Sequence, residues 1–129
     1  MTDGQEKKSL VGASSREIAE EIVRVLDEKN AKDIKLLRVD DKTSVTDYYV
    51  ICTGNSSTQI NALAGEVEYQ LQEMGLTPAH TDGYNSGSWV ALDYLFVIVH
   101  VLHREEREFY KIEKLWSDGE DIKITTTEK

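Results

Sequence analysis

The sequence predicts a single α/β domain, and three observations lead to it. The chain has 129 residues, about one domain, with 40% apolar residues including two Trp, six Tyr and two Phe. Helical apolar stripes alternate along it with short β-branched runs. No segment is low in complexity, no stretch repeats, and no Pro- or Gly-rich linker divides it, so one core should serve the whole chain.

The first element expected is a helix beginning at Ser14. Ser14 and Glu17 have the spacing of a capping box, in which hydroxyl and carboxylate each satisfy a free amide of the first turn. Ile18, Ile22, Val25 and Leu26 then form one stripe, opposite Glu20, Glu21, Arg24 and Lys29, and the helix should end near Asn30. Ile34 to Val39 reads as a strand and Asp40 to Thr43 as a polar turn. Tyr48 to Thr53 is apolar on both faces, which predicts a central strand stopped by Gly54. Asn55, Ser56 and Ser57 offer caps for a second helix carrying Ile60, Leu63, Ala64, Val67, Leu71 and Met74, closed by Gly75. Pro78 lies in a short extended segment before the turn-rich stretch Asp82 to Gly87. Trp89 to Leu92 and Leu95 to Leu102 read as two more strands, and Glu105 to Trp116 as a third helix with Phe109, Ile112, Leu115 and Trp116 on one side. Residues 1–13 read as a flexible polar lead-in, 14–117 as the domain, and 118–129 as a frayed polar tail.

Composition excludes several classes of function. Fifteen Lys and Arg against 24 Asp and Glu leave a net charge of −9, which argues against a protein that grips phosphate backbones over a broad surface. On the third helix Arg104, Arg107, Lys111 and Lys114 balance Glu105, Glu106, Glu108 and Glu113, a solvated face rather than a basic stripe. One cysteine, Cys52, rules out a disulfide framework and suits a reducing compartment. No run approaches the roughly 18 apolar residues of a membrane span, and the first thirteen residues have neither a signal nor a transit pattern, so a cytoplasmic protein is expected.

Candidate chemistry is sparse. His100, in VIVHVL, reads as a hydrogen-bonded structural imidazole, while His80 and His103 join no metal-binding spacing. Cys52, in mid-strand, reads as a small hydrophobe. There is no Gly-x-Ser-x-Gly elbow and no Walker loop or GxGxxG. Gly87-Ser88 could open a nucleotidyltransferase motif, but two-metal phosphoryl chemistry needs two or three carboxylates nearby and this stretch offers only Asp93. Neither a metal nor a cofactor is expected. Trp89 and Tyr94, flanking Asp93, belong to residue types enriched in binding hot spots, although Trp89 reads equally as a core aromatic.

Five blocks in order carry a resemblance: DYYVICTG (47–54), Asp82-Gly83, WVALD (89–93), VIVHV (97–101) and REFYKIEKLW (107–116). With Asp33-Ile34 ahead of the first strand, the chain closely resembles the Iojap family, the ribosomal silencing factors called RsfS, over roughly residues 14–117. The resemblance implies a mixed five-stranded sheet flanked by helices, distantly nucleotidyltransferase-like but without the catalytic carboxylates. It implies a non-enzymatic repressor that binds the large ribosomal subunit through large-subunit protein fourteen and blocks joining of the small subunit, often a homodimer when free. Organellar relatives are linked to large-subunit assembly. The partner-binding residues it implies are Trp89, Asp93, Tyr94 and Leu95, with Asp82 and Gly83 beside them. Two departures stand out. Where the family usually reads Asp, then Leu or Tyr, then Gly-Asp, this chain has Asp93-Tyr94-Leu95-Phe96, and its Arg-His at the second helix is Thr58-Gln59. A different reading makes the chain a nucleotide-binding or nucleotidyl-transferring enzyme using Ser56, Ser57, Gly87, Ser88 and Asp93, and a third makes it a dimeric assembly scaffold.

Overall fold

The computed structural model describes residues 9–41, 43–111 and 120–122. In chain order it contains α1 (Ser15–Glu28), β1 (Lys32–Arg38), β2 (Tyr48–Gly54), α2 (Ser57–Glu73), β3 (His80–Asp82), β4 (Trp89–Asp93), β5 (Val97–His103), α3 (Arg104–Tyr110) and β6 (Glu120–Ile122). The strands make one sheet in the order β3-β4-β5-β2-β1-β6. β2 pairs with β5 in parallel, and the other pairings are antiparallel. The two inner strands are the two apolar runs of the sequence, and every residue of β2 is buried, as a strand packed on both faces requires.

The helices start and stop where local chemistry dictates. At α1 the Glu17 amide donates to Ser14 Oγ at 3.1 Å and the Ser14 amide donates to Glu17 Oε1 at 3.0 Å, a complete capping box. Asn30, at φ 67°, turns the chain out of α1. Ser56 Oγ accepts the Gln59 amide at 3.1 Å to cap α2, and Gly75, at φ 96°, ends it. Both helices cover one face of the sheet. Ile22, Val25 and Leu26 of α1 meet Ile60, Leu63, Val67 and Leu71 of α2 over Leu36, Val50, Cys52, Val90, Leu92, Val97, Val99 and Val101. The opposite face holds a smaller cluster of Leu37, Val39, Tyr49, Ile51 and Leu102, with Trp89 and Ile98 partly buried against it.

Several differences from the sequence reading have physical causes. A sixth strand, Glu120–Ile122, lies in the stretch that reads as a polar tail, and it covers the edge of β1 from Leu36 to Arg38. Leu10, in the segment that reads as a flexible lead-in, is buried, with its amide donating to the Met74 carbonyl at 2.8 Å beyond α2. β5 begins at Val97 rather than Leu95, because Tyr94, Leu95 and Phe96 form a tight turn in which Leu95 takes φ 75°. Leu95 thus occupies, in the left-handed conformation, the position where the family pattern has glycine. Asp93 Oδ1 accepts the Leu95 amide at 2.7 Å and holds that turn. Glu21, placed by its charge on the solvent side of α1, is buried and accepts from Arg24, whose Nη2 donates to Gln70 on α2 at 3.1 Å. Arg107, which the charge pattern places on a solvated face, is buried against β1 and β2. The third helix, predicted over Glu105 to Trp116, is described as Arg104–Tyr110, with Lys111 left-handed at its end and Phe109 exposed; Ile112, Leu115 and Trp116 lie outside the described residues.

Candidate docking surface

Period-two alternation decides what β4 shows to each side. Val90 and Leu92 enter the helix-covered core, while Trp89, Ala91 and Asp93 remain half-exposed on the opposite face. Register then places Ala91 against His100 and Asp93 against Ile98 on β5. The Trp89 indole Nε1–H donates to His100 Nδ1 at 3.0 Å, with the rings edge to face at 5.8 Å. His100 in turn stacks on Tyr49 of β2 at 5.4 Å. A file of three rings therefore crosses β4, β5 and β2, and it fixes the orientation of the tryptophan.

The protonation of this file follows from its geometry. Burial pushes the His100 pKa down to about 4, so the ring is neutral at pH 7 and Nδ1 is free to accept the indole proton. The remaining ring proton therefore belongs to Nε2. Burial, followed by the charge of Asp93, raises the Tyr49 hydroxyl above its usual range and keeps it neutral.

The loop after β3 holds the backbone of Trp89 in place. Ser86 Oγ accepts the Trp89 amide at 3.1 Å and donates to the Trp89 carbonyl at 3.2 Å. Gly83 lies at φ 96°, and a Cβ there would come within 2.0 Å of the Trp89 carbonyl oxygen, so only glycine fits. Asp82, Gly83, Ser86, Ser88, Trp89, Ala91, His100 and Glu106 line an open cleft of about 450 Å³ with an acidic rim.

The six residues implied by the resemblance divide into two groups. Asp82, Gly83 and Trp89 meet at one end of β4. Asp93, Tyr94 and Leu95 lie at the other end, four residues along the strand, which is roughly 13 Å away. Tyr94 is not on the surface at all: its ring packs into the helix-side core near Glu68, 7% exposed. Tyr94 continues the alternation of Val90 and Leu92 toward the helix side, one residue past the end of β4. Leu95 and Phe96 are exposed at the hairpin tip, and the Phe96 carbonyl accepts the amides of Asp47 and Tyr48 on the loop after the exposed Val45. Sequence reasoning misses Tyr49 and Ser86. For the hold of His100 on Trp89 the available signal is the alternation that puts His100 on one face with Ile98 and Leu102.

The residues of the enzymatic reading are only partly assembled. A Cβ on Gly87 would lie 3.3 Å from Ser57 Cβ, so the glycine loop does adjoin the start of α2. Ser56 Oγ is occupied as a helix cap, however, and Asp93 is at the far end of β4 from Gly87 and Ser88. Among the described residues no three His, Cys, Asp or Glu side chains group as a metal site. Cys52 is fully buried, and burial pushes its thiol up to about 12, the opposite of an activated nucleophile. No helix among the described residues is long and apolar enough to cross a membrane.

These features define a single-domain α/β protein, helix-backed on one side of a mixed sheet, with an aromatic file and an acid-rimmed cleft on the other. The family model described as "Ribosomal silencing factor during starvation" matches residues 12–129. The chain is 34% identical to ribosomal silencing factor RsfS of Halalkalibacterium halodurans over 86% of its own length and 95% of that protein. It is 41% identical to RsfS of Bacillus subtilis over 72% of its length and 79% of that protein. A crystal structure of a protein from Chromobacterium violaceum superposes with a TM-score of 0.79 at 32% identity, covering 90% of this chain and 94% of that one. The chain belongs to the ribosomal silencing factor family, RsfS.

Proposed function

We propose that this protein is a ribosome-associated translation silencer that acts by binding rather than by catalysis. The observation that carries the reading is the family match across residues 12–129. In the finer form of the proposal it docks in the cytoplasm on the large subunit, through large-subunit protein fourteen, and its bulk blocks joining of the small subunit. The contact surface is the open face of the sheet at β4, with Trp89, Asp82 and Gly83 at one end and Asp93 and Leu95 at the far end. The pinned indole supports this placement, since an aromatic held rigid before binding loses little freedom on contact. The acidic rim and the net charge of −9 suit a basic ribosomal protein, where complementary charge speeds and orients encounter.

Sucrose-gradient sedimentation with separated subunits tests the proposal. The expected result is co-migration with the large subunit and loss of the joined ribosome when the small subunit is added. Migration with neither subunit, or binding with joining intact, overturns it. Binding to large-subunit precursors but not to mature subunits would favour assembly over silencing. The free protein is expected to be a homodimer, which analytical ultracentrifugation checks.

A further inference from the structure

Among the described residues, the cations of α3 and its end gather on one side. Arg104, Arg107 and Lys111 recur at 0, 3 and 7, the spacing of a single helical face. Lys35 approaches the same place from β1, and with Asp33, Thr53 and Glu108 these residues line an open cleft of about 560 Å³. Glu106 instead lines the Trp89 cleft. Four cations against two carboxylates therefore share one concavity on a chain whose net charge is −9.

Arg107 gives the cleft a rigid wall. It is buried, and its Nη1 donates to the Asp33 carbonyl at 2.7 Å and to Thr53 Oγ1 at 2.8 Å. Those hydrogen bonds clamp the irregular part of β1 between Lys32 and Lys35, where Asp33 takes φ 50°. Arg104 and Lys111 are exposed and, among the described residues, neither has an ion-pair partner. Their positive charge is available to something else.

We propose that this cleft binds RNA backbone phosphates of the large subunit, next to the protein contact made through Trp89. The inference rests on the proposed docking and adds a second, nucleic-acid contact to it. Arg104 at the start of α3 and Lys111 just past its end lie roughly 10 Å apart along the chain, so the two long side chains can engage successive phosphates of one strand. Cations placed this way bind by releasing the counterions condensed on the RNA. The acidic remainder of the chain repels phosphate, which confines the RNA to this one place and helps to set the docking orientation.

The test uses the full chain with Arg104 and Lys111 both changed to Gln, leaving Arg107 in place because it holds β1 to β2. Affinity for purified large subunits is measured across a salt series. The double variant is expected to bind several-fold more weakly at low salt, and its slope of log affinity against log salt to be shallower by roughly 0.7 to 0.9 for each phosphate no longer neutralised. An unchanged slope overturns the RNA contact. In a second arm the free protein is titrated with inorganic pyrophosphate while its backbone amides are followed by NMR. Shifts at Lys35, Thr53 and Lys111 that vanish in the double variant support the cleft, and their absence from the unaltered protein overturns it. Pyrophosphate shifts with an unchanged salt slope would make a free phosphate compound the ligand and remove RNA. If the unaltered protein does not sediment with large subunits at all, the proposed function fails, and the pyrophosphate arm still decides whether the cleft takes phosphate.

Discussion

The two faces of the sheet solve different problems. The face under α1 and α2 is uniformly apolar and closed, and its residues could be replaced by others of similar volume with modest loss. The opposite face is half-open and specified by directional interactions: an indole donating to an imidazole, an imidazole stacked on a tyrosine, and a loop gripping the tryptophan backbone. Stability should therefore concentrate on the first face and recognition on the second.

That division can be broken by experiment. The largest effect is expected from Leu26→Ala or Ile60→Ala, each of which empties a fully buried site and should cost about 2–5 kcal/mol in denaturant unfolding. The folded fraction should bind subunits as before. Next comes Trp89→Ala, expected to weaken large-subunit binding by about 2 kcal/mol, a factor of about 30 in sedimentation titrations. Equal losses from both substitutions, in stability and in binding alike, would erase the distinction between the faces.

A pH series separates them further. The His100 pKa is lowered from 6.5 to about 4 in the fold, so the folded state prefers the neutral ring and the unfolded state takes up the proton first. This contribution is complete above pH 6.5, declines as pH falls toward 4 at no more than about 1.4 kcal/mol per unit, and is flat below. Stability should fall through that window, whereas native tryptophan fluorescence should change only near pH 4, where the folded-state ring takes up its proton; His100→Gln should remove the fluorescence change and this residue's share of the stability change. Removing the α1 cap with Ser14→Ala should cost about 1 kcal/mol in stability and leave binding untouched. The smallest effect is expected from Leu95→Gly. It relieves a left-handed leucine and should stabilise the fold by about 0.5–1 kcal/mol. If Leu95 contributes to docking, the same change weakens subunit binding, and unchanged binding would confine the contact to the Trp89 end.

The contrast between the faces also explains what is legible in the sequence. Periodicity identifies the helix-side core and the central position of β2, because one pattern of burial runs through a whole element. Capping chemistry locates Ser14, and narrows the cap of α2 to Asn55, Ser56 and Ser57, of which Ser56 serves, for the same local reason. Glu21 and Arg107 defeat the pattern because a charged residue that finds partners can be buried, and partners distant in sequence leave no periodic mark. Tyr94 obeys the pattern, since its parity is that of Val90 and Leu92 and it is buried with them; residue type and the resemblance, not periodicity, put it among the contact residues. The sixth strand is invisible since Glu120 to Ile122 is polar and short, and only an available edge on β1 makes it a strand. The docking residues fare in between: Trp89 is evident by type, but its hold on His100 depends on register between two strands.

The single parallel pairing, between β2 and β5, has a consequence for the order in which the molecule can assemble. Its partners, from Tyr48 with Val97 to Gly54 with His103, are roughly fifty residues apart in sequence, and α2, β3 and β4 all lie between them. The antiparallel pairs β1–β2 and β4–β5 close short loops and can form early, whereas the central seam must wait for a long loop to close. Tyr49 belongs to the first of these early pairs and His100 to the second, so their rings meet only when the seam closes. The ring file is thus finished only when this long-range pairing closes, and a nascent chain has no complete docking face until β5 has been synthesised and seated.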